Sequence, residues 1–234
     1  MDIELSVKYW LLISALFIGG HLFAQVPSAE MWVGVAVPVQ FGKKDNWQWH
    51  NDAGYRTNGV SVLPHQWLYR TGIRHFFNAH WNAAAGGTVF FTRISYNKED
   101  REFGQENRLW QEVVHQTNQN ARWRIVSRIR LEQRFFEATE VRDAFYATRF
   151  RYRSSLVYTA TAKVQLHLAN EYMQQLRNDR MQFNQNRFIL AAFCSLKKQS
   201  QLQLSYIWQY RSPASSQNII AVIFQKSIGA NGNN

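Results

Sequence analysis

Polar and apolar residues alternate along most of this chain. The clearest stretch is Ala121–Phe136 (ARWRIVSRIRLEQRFF). Its even positions carry Arg122, Arg124, Val126, Arg128, Arg130, Glu132 and Arg134, and its odd positions carry Trp123, Ile125, Ser127, Ile129, Leu131, Gln133 and Phe135. A repeat of two sends successive side chains to opposite faces, so this segment is predicted to be an antiparallel strand between a charged and an apolar environment. The pattern recurs in Tyr146–Arg153, where Arg149, Arg151 and Arg153 alternate with Phe150 and Tyr152. It recurs in Lys163–Met173, where Lys163, Gln165, His167 and Glu171 alternate with Val164, Leu166, Leu168 and Tyr172. In Leu202–Arg211, Gln203, Ser205, Gln209 and Arg211 alternate with Leu202, Leu204, Tyr206, Trp208 and Tyr210. Helical spacing fits none of these windows.

Eleven such windows follow one another: 31–41, 47–57, 67–76, 81–96, 107–118, 121–136, 143–153, 162–175, 185–196, 199–211 and 218–228. Most exceed the roughly five to six residues usual for strands of soluble sheets and suit the roughly 9–11 that a membrane-spanning strand needs. Short connectors (42–46, 77–80, 119–120, 197–198) alternate with longer polar ones (58–66, 97–106, 138–142, 176–184, 212–217), while 154–161 fits neither set. Short turns on one rim and longer loops on the other are the habit of outer-membrane barrels.

The N-terminus adds a second sign. Tyr9–Ile18 (YWLLISALFI) is an apolar run preceded by Lys8 and followed by Gly19-Gly20, with the small Ala24 placed for cleavage. The run is too short to cross a bilayer as a helix and suits a signal peptide. We therefore expect residues 1–24 to be removed and 25–234 to form one domain. No later stretch is apolar for long enough to be a membrane helix, so any further crossing must be made of strands.

The two faces decide between a soluble and a membrane sheet. Buried unpaired charge is too costly for the arginine face to be a dry core. Either the apolar face is inside a soluble sandwich, or it meets lipid around a wet lumen. Strand length, the leader and the aromatics at strand ends (Trp47 and Trp49, Trp67 and Tyr69, Trp208 and Tyr210) favour the second. The expectation is an all-β, transmembrane, antiparallel up-and-down β-barrel of 10–12 strands. Closed single-chain barrels of bacteria have even strand numbers, which favours twelve over ten.

Charge now becomes informative. Lys plus Arg total 27 against 16 for Asp plus Glu, a formal net charge of +11, and 26 against 14 remain after residue 24. Such an excess concerns partners and fields, not fold. Export removes nucleic acid as a partner and leaves outer-membrane lipid and small anionic solutes. The candidate lumen and anion-binding residues are Arg122, Arg124, Arg128, Arg130, Glu132, Arg134, Arg149, Arg151, Arg153, Glu171 and Arg187, with Arg56, Arg70, Arg74, Arg108 and Arg211 on the same kind of face. Beside them we place the acids Asp52, Glu132 and Glu171. A planar guanidinium fork suits carboxylate and phosphate, so the surplus points to an anion-favouring pore. The plainer alternative is cross-strand pairing that plugs a narrow barrel, leaving a scaffold whose loops bind an envelope partner.

An outer-membrane lipid hydrolase is the enzymatic alternative. It needs Ser and His on the outer face, and no motif links the available Ser127, His115, His167 and Ser205. No enzyme is expected. The single cysteine, Cys194, excludes an intramolecular disulfide and a paired-cysteine zinc site, and no metal or cofactor is expected.

Several of these stretches together resemble a family of Bacteroidetes outer-membrane barrels known only as a domain of unknown function (2490 type). They are ENRLWQE (106–112), SRIRLEQRF (127–135), RFRYR (149–153), NEY (170–172), FNQNRF (183–188), QLSYIWQY (203–210) and NII (218–220). The chain departs from the family pattern at Asn107, where histidine is usual, and in a last strand that does not end on an aromatic. The resemblance implies a barrel in the outer membrane of a Gram-negative bacterium. It implies no activity.

Overall fold

The computed structural model describes residues 29–42, 46–57, 59, 64–94, 102–118, 121–212 and 215–229. The expected leader, 1–24, lies outside them. The alternating windows are strands, in chain order β1 (Ala29–Ala36), β2 (Val39–Phe41), β3 (Trp47–Thr57), β4 (Pro64–Phe76), β5 (Trp81–Arg93), β6 (Phe103–Gln116), β7 (Trp123–Phe136), β8 (Phe145–Thr159), β9 (Val164–Arg177), β10 (Arg180–Ser195), β11 (Ser200–Arg211) and β12 (Ser215–Lys226).

Neighbours from β3 to β12 pair antiparallel in sequence order, and β1 closes the ring between β3 and β12. The ring has eleven strands, not the twelve that an even count favours. With an odd number, the first and last strands of an up-and-down ring must run the same way. β1 and β12 are accordingly parallel, from Ala29 opposite Asn218 to Ala36 opposite Gln225. The first window, 31–41, is broken at Pro38, which has no N–H for the ladder. Its remainder is β2, a three-residue strand against β3 that the ring does not need in order to close.

Two connectors expected to be long are short. The 176–184 segment is taken up by β9 and β10, which turn at Asn178 and Asp179, with φ of 50° and 56°. Asn and Asp tolerate this left-handed conformation, and two such residues in succession match the twist of a tight hairpin. β12 likewise begins at Ser215, and β8 continues through the ambiguous 154–161 stretch to Thr159. The two longest connectors, 94–102 and 137–144, therefore share one rim with 58–63 and two tight turns, opposite a rim of shorter turns four to six residues long.

Alternation sorts the side chains as the two-face pattern requires. Arg130, Glu132, Arg149, Glu171 and Gln209 are buried inside, whereas Trp47, Ile73, Leu109, Ile129, Leu168 and Leu190 are exposed outside. One part of the interior is apolar. Ala169, Ile189, Ala191, Ile207, Ile219 and Ala221 form a cluster, with Trp32 and Phe193 packed against it. Elsewhere Trp110, 2% exposed, lies over β4 and β5 where Gly72 faces Gly86. A Cβ on Gly86 would sit 2.1 Å from Thr71 O and 2.7 Å from Trp110 Cζ2, so the glycines make a flat bed for the indole. At neighbouring Gly87 a Cβ meets nothing nearer than Arg108 O at 3.7 Å. Gly86→Ala should therefore reduce the folded fraction, read as heat-modifiable gel mobility, while Gly87→Ala should fold like the parent. Equal folding of the two would mean that the β4 backbone at Thr71 and Gly72 and the indole both give way at no cost.

Candidate functional site

The inward positions of β6 to β10 bring opposite charges into register. Arg130 lies opposite Glu112 on one side and Arg151 on the other, and Glu132 lies opposite Arg149. Glu171 lies between Arg153 and Arg187. The side chains use this register. Glu132 accepts from Arg149 at 2.5 Å and from Arg151 at 2.6 Å, and Glu171 accepts from Arg151 at 2.7 Å and Arg128 at 2.5 Å. Arg151 thus bridges two carboxylates. Glu112 holds Arg130 and Arg74, Glu106 holds Arg108 and Arg134, and Asp52 grips Arg70 through a two-pronged contact. These are charge-assisted hydrogen bonds among largely buried side chains, the setting in which they are strong and in which an unmatched group is costly.

The same wall bounds a cavity of about 950 Å³. Its lining starts at the rim of longer loops, with Ile94, Gly104, Thr139 and Arg142, and reaches Arg128 and Arg130 deeper in the lumen. Thirteen arginines line it against five carboxylates, those of Glu30, Asp52, Glu106, Glu132 and Glu171. Several of these arginines hydrogen-bond to neutral groups. Arg56 donates to Gln66 at 2.7 Å and lies 4.0 Å from the centre of the Trp32 ring. Arg153 donates to Ser155 at 3.3 Å, and Arg187 donates to Gln209 at 2.6 Å, with Glu171 at 3.6 Å. Positive charge therefore exceeds negative charge along the cavity wall.

Nine of the eleven predicted site residues line this cavity; Arg122 and Arg124 do not. Arg122 corrects the prediction. It precedes β7, so strand alternation does not fix its side, and its exposed side chain donates to the Tyr158 hydroxyl on the outer face. Arg124 turns inward but pairs with Gln165 near the short-turn rim. Sequence reasoning missed Glu106 and Glu112, although both share the parity of Arg108, and Glu30, which lies just before the first window. Of the residues weighed for hydrolysis, His167 stacks on Phe193 and Ser205 accepts from Gln203. Ser127 and His115 are opposite each other on the outer face, with the His115 ring packed on Trp81. Among the described residues no group of His, Cys, Asp and Glu is arranged to hold a metal ion.

Fold and lumen together define the class: a closed up-and-down β-barrel, apolar outside and arginine-rich inside. The chain belongs to the family described as protein of unknown function (DUF2490), whose model matches residues 29–219, from β1 into β12. No curated protein matches the chain.

Glu171, 1% exposed, is the carboxylate with most to lose. Glu171→Gln would leave Arg128, Arg151 and Arg187 without their shared counter-charge, at a cost of about 3 kcal/mol for a broken buried pair. Asp52→Asn, which deprives the more exposed Arg70, should cost less. Urea unfolding followed by tryptophan fluorescence would rank them. A Glu171→Gln barrel as stable as the parent would mean that water already solvates these guanidinium groups.

Proposed function

We propose that the protein is an outer-membrane barrel whose lumen collects small anions and passes them as an anion-favouring pore. The observation that carries this reading is the cavity lining, with thirteen arginines to five carboxylates. Fixed positive charge on a low-dielectric wall raises the local anion concentration. The outer face supports a membrane setting. Towards the short-turn rim, Trp47, Trp81 and Trp123 pack on His75, His115 and Tyr158. Towards the other rim stand the pairs Tyr55–Trp67, Phe135–Tyr146 and Phe183–Tyr210. Two aromatic bands flanking an aliphatic belt are what lipid interfaces select. In water the same belt would be an apolar patch far larger than monomeric proteins expose.

A second reading, a plugged barrel serving as a scaffold, draws on the ion pairs across β6 to β10. They narrow the lumen, and Arg124, Gln165 and His167 near the short-turn rim do not line the cavity.

Two measurements test the proposal. Ile129→Arg puts a charge on the lipid face, at a cost of about 2–4 kcal/mol at the bilayer midplane, and should lower the folded yield in lipid vesicles. Arg153→Gln on the inner face should not. Equal yields would remove the lipid-facing assignment. In planar bilayers under a salt gradient, the reversal potential should report anion preference, fading towards 1 M salt where the Debye length is about 3 Å. Replacing Arg149, Arg151 and Arg153 by Gln should weaken that preference in barrels that still fold. Folded protein without conductance would leave the plugged scaffold.

A further inference from the structure

The lumen has two unlike walls. From β6 to β8 the inward positions are dominated by guanidinium and carboxylate groups, and β3, β4 and β9 add Asp52, Arg56, Arg70 and Glu171. From β10 through β12 to β1 they include Ile189, Ile207, Ala221 and Ile223, with Trp32 at the junction. All five line the same cavity as the arginines. A pore for small hydrated anions has no use for aliphatic side chains, because each apolar surface held against water forgoes about 25 cal/mol per Å². Ile223 and Trp32 are nonetheless only partly buried.

Two arginines meet at the junction between the walls, Arg56 hydrogen-bonded to a neutral amide and Arg187 3.6 Å from Glu171. Arg56 and Arg187 both lie over the Trp32 ring, at 4.0 and 5.2 Å from its centre. The indole N–H is engaged by Glu30 at 3.0 Å, so the Trp32 side chain is held in place while its ring meets the two guanidinium groups. Arg56 has Gln66 as its side-chain hydrogen-bond acceptor, and Arg187 has Gln209. Two forked donors thus stand beside an apolar wall, in a space of about 950 Å³, within the usual range of small-molecule pockets.

From this we infer that the lumen binds an amphiphilic organic anion: a carboxylate-type head between Arg56 and Arg187, and an aliphatic body along Ile223, Ala221 and Ile207. The inference rests on reading the lumen as an anion site and names the class of anion. The head gains charge-assisted hydrogen bonds from two guanidinium groups whose hydrogen-bond acceptors are now glutamine amides. The body removes Ile223 and Trp32 from water. Inorganic anions gain only the first term, and neutral chains only the second.

Equilibrium dialysis of the folded full-length barrel in lipid nanodiscs, against labelled acetate, octanoate and octanol, separates these terms once uptake by empty nanodiscs is subtracted. Octanoate should bind at least about tenfold more tightly than acetate, a gain that burial of about two methylene groups supplies. It should also bind more tightly than octanol. Ile223→Asn should bring octanoate down to the acetate level and leave acetate binding unchanged. Arg56→Gln should weaken both anions. Heat-modifiable mobility certifies that each variant is folded. Equal binding of acetate and octanoate would overturn the amphiphile inference and leave the anion lumen standing. Equal binding of octanoate and octanol would overturn the head-group site. Folded barrel that binds neither anion would overturn both readings.

Discussion

The carboxylates of Glu132 and Glu171 each accept from two guanidinium groups carried by other strands, and Arg151 donates to both. Much else in the barrel depends on this sharing. An outer face built of Leu, Ile and aromatic residues obliges the alternate positions to be polar, because one residue of slip would exchange the faces. A lumen lined by arginine alone would repel itself. Glutamates set at inward positions between arginine-bearing strands turn that repulsion into cross-strand attraction. Breaking such a set by removing one member is costly, whereas the intact set adds little net stability over an apolar core. Its value lies in fixing register, since Glu132 and Glu171 meet their partners only when β7, β8 and β9 are aligned as they are.

The opposite side of the ring is held by different means. β1 is an eight-residue strand that stops ahead of Pro38, and it makes the parallel closure with β12. Parallel pairs are slightly weaker per residue than antiparallel ones. Here the interior carries Ile207, Ile219 and Ala221, packed with Trp32 of β1 itself. Apolar packing across the seam does the work that ion pairs do across β6 to β10, and it asks for no exact hydrogen-bond geometry. The two-walled lumen is therefore tied to how the ring is stitched: charge where long antiparallel strands fix register, and aliphatic contact where a short strand must close it.

Much of this was legible in the sequence. Period two in 121–136 identified the faces, because arginines recur at even positions and mostly apolar residues at odd ones, and nine of the eleven predicted site residues line the cavity. Arg122 misled because the parity of a strand does not extend past its first residue. Glu112 was visible by parity with Arg108 but was outweighed by attention to the arginines, and Glu106 was assigned to the connector 97–106, whereas β6 begins at Phe103. The strand count was not legible. Whether 31–41 closes the ring as one strand or breaks at Pro38 depends on the partners of β1, and those are distant in sequence. Nor was the apolar inner wall, since in β10 Ile189 and Ala191 face inward while Leu190 and Ala192 face outward, so both parities look alike.

The balance between paired and surplus arginine bears on whether an anion is passed or held. Where Glu132 and Glu171 are saturated by arginines, the wall is close to neutral and offers an anion little. Near Trp32, Arg56 and Arg187 have glutamine amides as their closest acceptors, with Glu171 3.6 Å from Arg187, so on the proposed reading an anion would compete there with weaker partners. The lumen potential is therefore uneven, with a well near Trp32. Conduction needs sites weak enough to leave, or a second ion to displace the first. A small inorganic anion, gaining only the electrostatic term, meets that condition and exchanges more readily as salt screens the wall. A chain-bearing anion would also gain burial that salt does not screen, so on the proposed reading it would stay and obstruct the smaller ones. On the proposed reading, the composition of the lumen thus makes residence time, not charge alone, the property by which it would distinguish one anion from another.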